Sequence, residues 1–466
     1  MKKNVFLVLS FVLLTLHACN EDDPATVSNS VAFSVSSINL TDNETPVQIL
    51  FAEPTRASGT ISLTYDATDV AYGTDFTTSP AAEDNTIVVP FEANVSSVTF
   101  TFNKIVNAIE GEVKNVVFTI SDVSFDATIA GNATVQLNFN ETASLGAALA
   151  PEVGGPIQPN QVYVDLSSGS LVAVPRISWD IGFSGAESRV VINSSVKMSV
   201  KQLATTNIDE VQSPDDTMII TQGQGIASQI DHPSGVLSGT AIAEVSANDS
   251  DNKVYLVNMG SGPSSVTPAV GAEGSASGES RGWKKIRVLK SGNNYILQYA
   301  DIAATTHQQV TISTNEAYNF TFFSLTTNSV VPVEPPKNLW DLNFTTFTNL
   351  VGPTTPYYFP DYVLTNLKGG AKAYMVTVSP SENYDTFVLA SVIDANFTSD
   401  QRNIGSNWRS TSVIGPGGVP ISQFVLNTQR FFIIKDPAGN IYKLRFTGGA
   451  NSAGERGFPT FQYSKL

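Results

Sequence analysis

Short runs in which apolar and polar residues alternate recur along most of this chain. They include Thr60 to Tyr65, Ser97 to Phe102, Val116 to Ile120, Lys285 to Val288 and Phe431 to Ile434. A two-residue period puts one face of a strand toward a core and the other toward water. Gly, Pro, Asn and Asp separate the runs at the intervals of antiparallel sandwiches and barrels. Three-to-four-residue apolar spacing, the signature of amphipathic helices, is scarce. The pattern predicts an all-β protein.

One apolar run is of a different kind. Lys2 and Lys3 precede an uncharged stretch from Val5 to Leu16, which ends Leu16-His17-Ala18-Cys19. About a dozen apolar residues behind a basic start match an export signal and fall short of the ~20 that span a bilayer. Small Ala18 before Cys19 fits a lipoprotein cleavage point, so residues 1–18 are expected to be removed and Cys19 to carry the lipid. Cys19 is the only cysteine in 466 residues, so with it lipidated no disulfide can form and stability must come from apolar cores. Residues 19–27 form an acidic tether (Asn20, Glu21, Asp22, Asp23), a cluster that points to display on the outer face of the outer membrane.

Charge narrows the partners. The chain carries −16 formal charges; the signal holds two lysines and no acid, leaving 24 basic against 42 acidic residues, or −18. Nucleic-acid affinity rests on Lys and Arg neutralising phosphates, so that class is excluded. Contact with membrane is expected through the lipid anchor alone.

Breaks in the pattern divide the body. Residues 141–158 are rich in Ala, Gly and Pro, and residues 326–337 (TTNSVVPVEPPK) end in a Pro pair that resists helix and central strand. Both are expected to be linkers. Gly260 to Gly282 is Gly/Ser-rich and reads as a long mobile loop within a domain. The expected order is a sandwich over 28–140, then two antiparallel β domains over 159–325 and 338–466.

These last two segments share a pattern. Trp179-Asp180-Ile181-Gly182-Phe183 is echoed by Trp340-Asp341-Leu342-Asn343-Phe344. Each is followed by a strand ending in Asn, at Asn193 and Asn366. Each closes with a hairpin: Ile286 to Lys290 with Tyr295 to Tyr299, and Phe432 to Lys435 with Ile441 to Phe446. Gly and Asn at the turns supply the positive φ that hairpins need. An aromatic strand follows, Tyr318 to Phe323 or Phe458 to Tyr463. Read from the residues alone, the Trp-Asp strands are scaffold: one face is buried, and the Asp satisfies backbone donors at an edge.

This pattern, together with the approach Val162 to Ser167 and Val172 to Arg176, resembles the HmuY family, all-β bacterial lipoproteins named for a haem-binding member. The resemblance covers roughly 158–466 as two tandem copies. It implies capture of haem or a related ligand outside the cell, in company with an outer-membrane receptor. The alternative is a surface lipoprotein that recognises a glycan or a protein and has lost haem binding, with Tyr357 and Tyr358 as an exposed stacking platform. Residues 28–140, with Ala71 to Phe76, Ile87 to Pro90 and Val98 to Phe102, resemble a Calx-beta domain, an immunoglobulin-like sandwich that in some members binds Ca²⁺. Ca²⁺ wants six to eight oxygens. Asp75, Glu110 and Glu112 would supply a weak site, so a spacer is the expected role.

Haem iron takes His, Met, Cys or Tyr as axial ligands. After the signal the chain has His232 and His307, and Met198, Met218, Met259 and Met375. Neither Trp-Asp neighbourhood contains His. Met198, five residues beyond Asn193, is the leading candidate, with Met218 and His232 in the irregular stretch that follows. Asp216-Thr217-Met218 also matches a short O-glycosylation sequon. No enzyme is expected. There is no H-E-x-x-H, no phosphate-binding loop and no dinucleotide fingerprint. The closest approach to a nucleophile elbow, Gly274-Ser275-Ala276-Ser277-Gly278, has Ala where the nucleophile belongs.

Overall fold

The computed structural model describes residues 29–40, 42–105, 114–125, 127–139, 147–221, 223–273 and 277–466. The export signal, Cys19, the acidic tether, Glu110, Glu112 and Gly274 to Ala276 lie outside these residues. The fold is all-β, built from antiparallel sheets joined by short 3₁₀ turns. Among the described residues no helix is long and apolar enough to cross a membrane.

The alternating runs become strands because each hides its apolar face. In Ser97–Lys104, Phe100 and Phe102 are fully buried while Thr99 and Thr101 are not. They pack with Phe33, Phe76, Phe118 and Phe139 between the two sheets of the N-terminal sandwich. Burying one such phenyl ring contributes about 1.5–3 kcal/mol, so this aromatic core holds the sandwich without a disulfide. One sheet runs Phe76–Ser79, Ser97–Lys104, Glu44–Phe51, Asn29–Phe33, Ala127–Ile129. The other continues beyond the sandwich: Leu171 pairs with Ser37, and the sheet extends to nine strands through Asn160–Asp165 to Thr355–Thr365.

Beyond the sandwich the chain forms two lobes. In the first, a four-stranded sheet (Ile181–Ser184, Val190–Ile192, Phe320–Ser324, Ser329–Val331) and a five-stranded sheet (Ser199–Gln202, Val254–Asn258, Trp283–Ser291, Asn294–Asp301, Gln308–Ile312) share one core. In the second, a five-stranded sheet (Ala147–Leu149, Arg456–Lys465, Ile441–Ala450, Arg430–Lys435, Lys372–Thr377) closes over Val162, Val164, Leu342 and Phe344. Both hairpins expected from sequence are present, with Gly292 (φ 60°) and Gly439 (φ 89°) in their turns.

The lobes exchange hairpins. The hairpin that precedes Trp179 (Asn160–Asp165 with Ser170–Pro175) does not join the strand after Trp179. It pairs with the strand after Trp340, Val162 to Phe344 and Val164 to Leu342. The hairpin that precedes Trp340 (Phe320–Ser324 with Ser329–Val331) pairs with the strand after Trp179, Ile181 to Phe323 and Phe183 to Thr321. The register is the same in both. So is the turn, where Gly169 (φ 69°) and Asn328 (φ 55°) both take the left-handed conformation.

Ser329–Val331, in the stretch read as a linker, is therefore a strand, and so is Ala147–Leu149, which pairs with Arg456–Lys465. Proline stops a chain from donating to a ladder on both sides. It does not stop three residues beside it from closing a hairpin.

Candidate functional site

The exchange packs the two Trp-Asp motifs against each other. Trp179, Trp340, Tyr163, Phe322, Val172, Val174, Val331 and Val333 form one cluster, drawn in pairs from equivalent positions. Tyr163 meets Trp340 edge-on, ring centroids 4.8 Å apart, and Phe322 meets Trp179 the same way at 4.7 Å. The carboxylate of each Asp holds the opposite hairpin. Asp180 Oδ2 accepts from Leu325 N, and Asp341 Oδ2 from Leu166 N, each at 2.7 Å. Each Asn locks its own motif: Asn193 Nδ2 donates to the carbonyls of Arg176 and Trp179, and Asn366 Nδ2 to those of Lys337 and Trp340. The Trp-Asp strands are scaffold, as their alternation predicts.

Beside this cluster lies a cleft of about 130 Å³ between the lobes. Gln161, Asn319, Asn343 and Thr365 line its interior, and exposed His232 and Val236 stand with Gln401 at the mouth. Gln401 Nε2 donates to the Pro233 carbonyl and ties the His232 loop to the second lobe. The His232 Nδ1 is 2.8 Å from Ser234 Oγ, which leaves Nε2 for another partner.

The cleft contains charge away from water. Glu334 Oε1 accepts from Phe320 N at 2.9 Å, yet burial pushes its carboxyl up to about 7. Asp231 accepts from Ile192 N and Ala241 N, and burial lifts it to about 6. The Lys368 ammonium faces Glu334 and Asp231, and burial holds its pKa below the ordinary lysine value. Six residues that line the cleft each carry a fully buried polar atom with no hydrogen-bond partner among the described residues: Nε1 of Trp179 and Trp340, Nε2 of Gln161, Oδ1 of Asn319 and Asn343, and Oγ1 of Thr365.

The predicted ligand residues fall in different places. Met198 has no exposure and packs with Met259 in the core of the first lobe. Met218 is also fully buried, its carbonyl accepting from Asn258 Nδ2. Exposed Thr217 beside buried Met218 shows why a surface sequon does not imply a surface methionine: a tight turn at Asp215, where Met218 N donates to the Asp215 carbonyl, presents Thr217 outward and turns Met218 in. Of the three candidates, only His232 lines the cleft. Asp75 closes a local turn by accepting from Ala71 N, and the described residues contain no group of three or more His, Cys, Asp or Glu that could hold a metal. Tyr358 is not an exposed platform. It is 4 % exposed, and its hydroxyl accepts from buried Arg176.

Sequence reading missed Glu334, Asp231, Lys368 and the buried amides of Gln161, Asn319 and Asn343. Glu334, a lone acid inside a Val/Pro-rich stretch, was the one visible signal. A larger groove of about 1250 Å³ separates the sandwich from the second lobe, but no His, Met or Cys lines it.

No curated protein matches the chain. Among the solved structures similar to parts of the chain are the following three. The apo-form Calx CBD1 domain is 12 % identical (TM-score 0.20), covering 24 % of this chain and 95 % of that one. A Bacteroides vulgatus protein described as a candidate HmuY-like heme-binding protein is 8 % identical (TM-score 0.18), covering 70 % and 93 %. A two-domain Bacteroides fragilis protein of unknown function is 9 % identical (TM-score 0.18), covering 66 % and 93 %. At those values the likeness is too slight to carry function. The HmuY protein family model is a firmer match, running unbroken from residue 157 to residue 463. It spans both Trp-Asp motifs and both exchanged hairpins, and on that match the chain belongs to the HmuY family.

Proposed function

We propose that this protein is an exported lipoprotein that captures haem or a related ligand outside the cell, and is not an enzyme. Membership of the HmuY family, over two thirds of the chain, carries the reading. Of the three candidate ligands, Met198, Met218 and His232, only His232 is exposed to meet a porphyrin. Pockets that engulf drug-sized ligands run to about 300–1,000 Å³, so a cleft of about 130 Å³ suits a porphyrin seated at the mouth. His232, at the mouth with Nδ1 engaged by Ser234 and Nε2 left over, would hold the iron there, as imidazole does in other haem proteins. The Calx-beta-like sandwich would then act as a spacer above a lipid on Cys19, and an outer-membrane receptor would receive the cargo. Titration of purified protein with haemin tests this. A saturable Soret shift lost in His232→Ala is expected; no saturable shift in oxidising or reducing buffer rejects haem capture. For the anchor, Cys19→Ser is expected to release the protein from the membrane fraction.

A second reading is a surface lipoprotein that binds a glycan or a protein and not haem. Full burial of Met198 and Met218 favours it, because a thioether in a packed core cannot reach iron. A glycan array probed with the protein separates the two.

A further inference from the structure

A second cleft, of about 300 Å³, lies where the N-terminal sandwich meets the first lobe. Hydrogen bonds seat its walls. Ser30 Oγ donates to the Val330 carbonyl at 3.0 Å and joins strand Asn29–Phe33 to the exchanged hairpin that precedes Trp340. Asn29 brackets Glu53: its Oδ1 accepts from Glu53 N at 3.0 Å, and its Nδ2 donates to the Glu53 carbonyl at 2.7 Å. The main chain of Glu53 is thereby fixed at the cleft wall, and the residue is half-buried.

The lining carries one sign of charge. Glu53, Glu316 and Glu334 belong to it, and among the described residues that line it there is no Lys, Arg or His. Glu334 is faced by Lys368, which lines the interlobe cleft instead. The cation acting on Glu53 is Arg56, an exposed side chain that does not offset burial, and the carboxyl is pushed up to about 7. Rings make much of the remaining wall: half-buried Tyr318 and Phe320, with Phe51, Phe322, Pro54 and Pro332. Carboxylates beside aromatic rings receive organic cations, because the charge meets the carboxylate and the ring faces attract the ammonium and its substituents. We propose that this cleft binds a small organic ammonium ion, a primary or quaternary amine with an apolar body the size of one ring.

Size and sign select that class. Pockets that enclose small molecules begin at about 300 Å³, and this volume is the share of about ten waters at about 30 Å³ each. One ring and its amino arm fit within it. An anion, the propionates of haem included, would meet three acids and no base, so this site is separate from haem capture at His232 and stands if that reading fails. A neutral ligand would leave Glu53 uncompensated. A bare metal ion needs its ligands gathered at one point, and no group of three or more His, Cys, Asp or Glu among the described residues is so gathered. Acids spread around a ring-lined cleft suit a cation that is itself extended and apolar.

The full chain would be titrated by calorimetry with benzyltrimethylammonium, whose charge does not change with pH, and with phenethylamine and cyclohexylamine. Benzyl alcohol and benzoate are the neutral and anionic controls of like shape. Saturable binding of at least one ammonium probe is expected at millimolar concentration or below, about tenfold or more tighter than either control, a difference of about 1.4 kcal/mol. Glu53→Gln keeps the shape, loses the charge and should weaken binding by about the same factor. Without ligand, the same variant should raise the melting temperature at pH 8.5, because burial disfavours the ionised carboxyl in the folded state; a carboxylate held by a structural partner would lower it. Benzyltrimethylammonium should bind more tightly at pH 8.5 than at pH 5.5, and by a smaller margin in Glu53→Gln, where Glu334 still titrates at about 7 while Tyr318, pushed up to about 12, stays neutral. No binding of any ammonium probe overturns the proposal. Equal binding of benzyl alcohol or benzoate overturns it too, as does a Glu53→Gln variant that binds as the parent does or melts lower at pH 8.5. The haemin titration of Glu53→Gln should match the parent's, which keeps this site distinguishable from the one at His232.

Discussion

Asp341 Oδ2 accepts a 2.7 Å hydrogen bond from the backbone N–H of Leu166, a residue 175 positions earlier in the chain. Asp180 makes the equivalent bond to Leu325 N at the same distance, and each Asp amide also donates to the carbonyl two residues before that partner, Val164 or Phe323. Inside the protein, away from water, such a hydrogen bond is stronger than in solvent. Each motif thus clamps the hairpin that precedes the other one. The lobes are interlocked by the same device used twice.

The two clamps differ in their counter-ion, and stability should show it. Asp180 pairs with Arg281 at 2.7 Å, both side chains well buried. Asp180→Asn would leave that guanidinium unpaired, and breaking such a pair costs about 3–5 kcal/mol. Asp341→Asn keeps an acceptor for Leu166 and should cost under half as much, whereas Asp341→Ala leaves that N–H unsatisfied at about 1–3 kcal/mol. Urea unfolding measures all three. Equal losses for the two Asn variants would contradict the assignment.

Stability should fall as pH rises. Burial pushes Asp341 up to about 8, with Asp165 and Asp436 adding to it, Glu334 to about 7 and Asp231 to about 6. Between the ordinary carboxylate values near 4 and these raised ones, the folded protein binds more protons than the unfolded chain. The slope of unfolding free energy with pH is then negative. Calorimetry is expected to give a higher melting temperature at pH 5 than at pH 8.5, with a smaller difference in Asp341→Asn. A melting temperature that climbs across this window would refute the reading.

Cutting the chain within 326–337 should yield no folded halves. Residues 338–466 alone lack Asn160–Asp165, the partner of Leu342–Val351, and residues 159–325 alone lose Ser329–Val331 from the other exchanged hairpin. Both sheets would expose an unpaired edge. Limited proteolysis and amide dispersion in NMR spectra would show it. Cooperative unfolding of either half by itself would mean that the exchange is dispensable.

Met198→Ala should act on stability and not on haem. A buried Met→Ala change costs about 2–5 kcal/mol, and Met198 is enclosed among Ile192, Val257 and Met259. Haemin spectra of the variant should match those of the parent. A lost Soret shift would return Met198 to the ligand list.

Local chemistry decided what the sequence revealed. Alternation located strands such as Ser97–Lys104, and Gly292 and Gly439 marked turns, because period and φ are properties of neighbouring residues. The Trp-Asp repeats marked scaffold for the same reason. A strand's partner is a different matter. Nothing within Val162 to Leu166 states that it pairs with Leu342 to Phe344 and not with Ile181 to Phe183. Both edges accept the same register, and only the whole chain, with its connection lengths and two competing hairpins, selects one. Burial of Met198 and Tyr358 followed from that choice.

The sequence by itself determined an all-β chain with duplicated Trp-Asp strands, a HmuY-type pattern, acidic charge and a single cysteine, since composition and short-range period need no tertiary contact. Tertiary structure alone decided which hairpin each motif holds. In doing so it brought Gln161, Asn319, Asn343, Thr365 and both indoles around one cleft. Those residues span more than 200 positions of the chain, and only long-range strand pairing closes that distance.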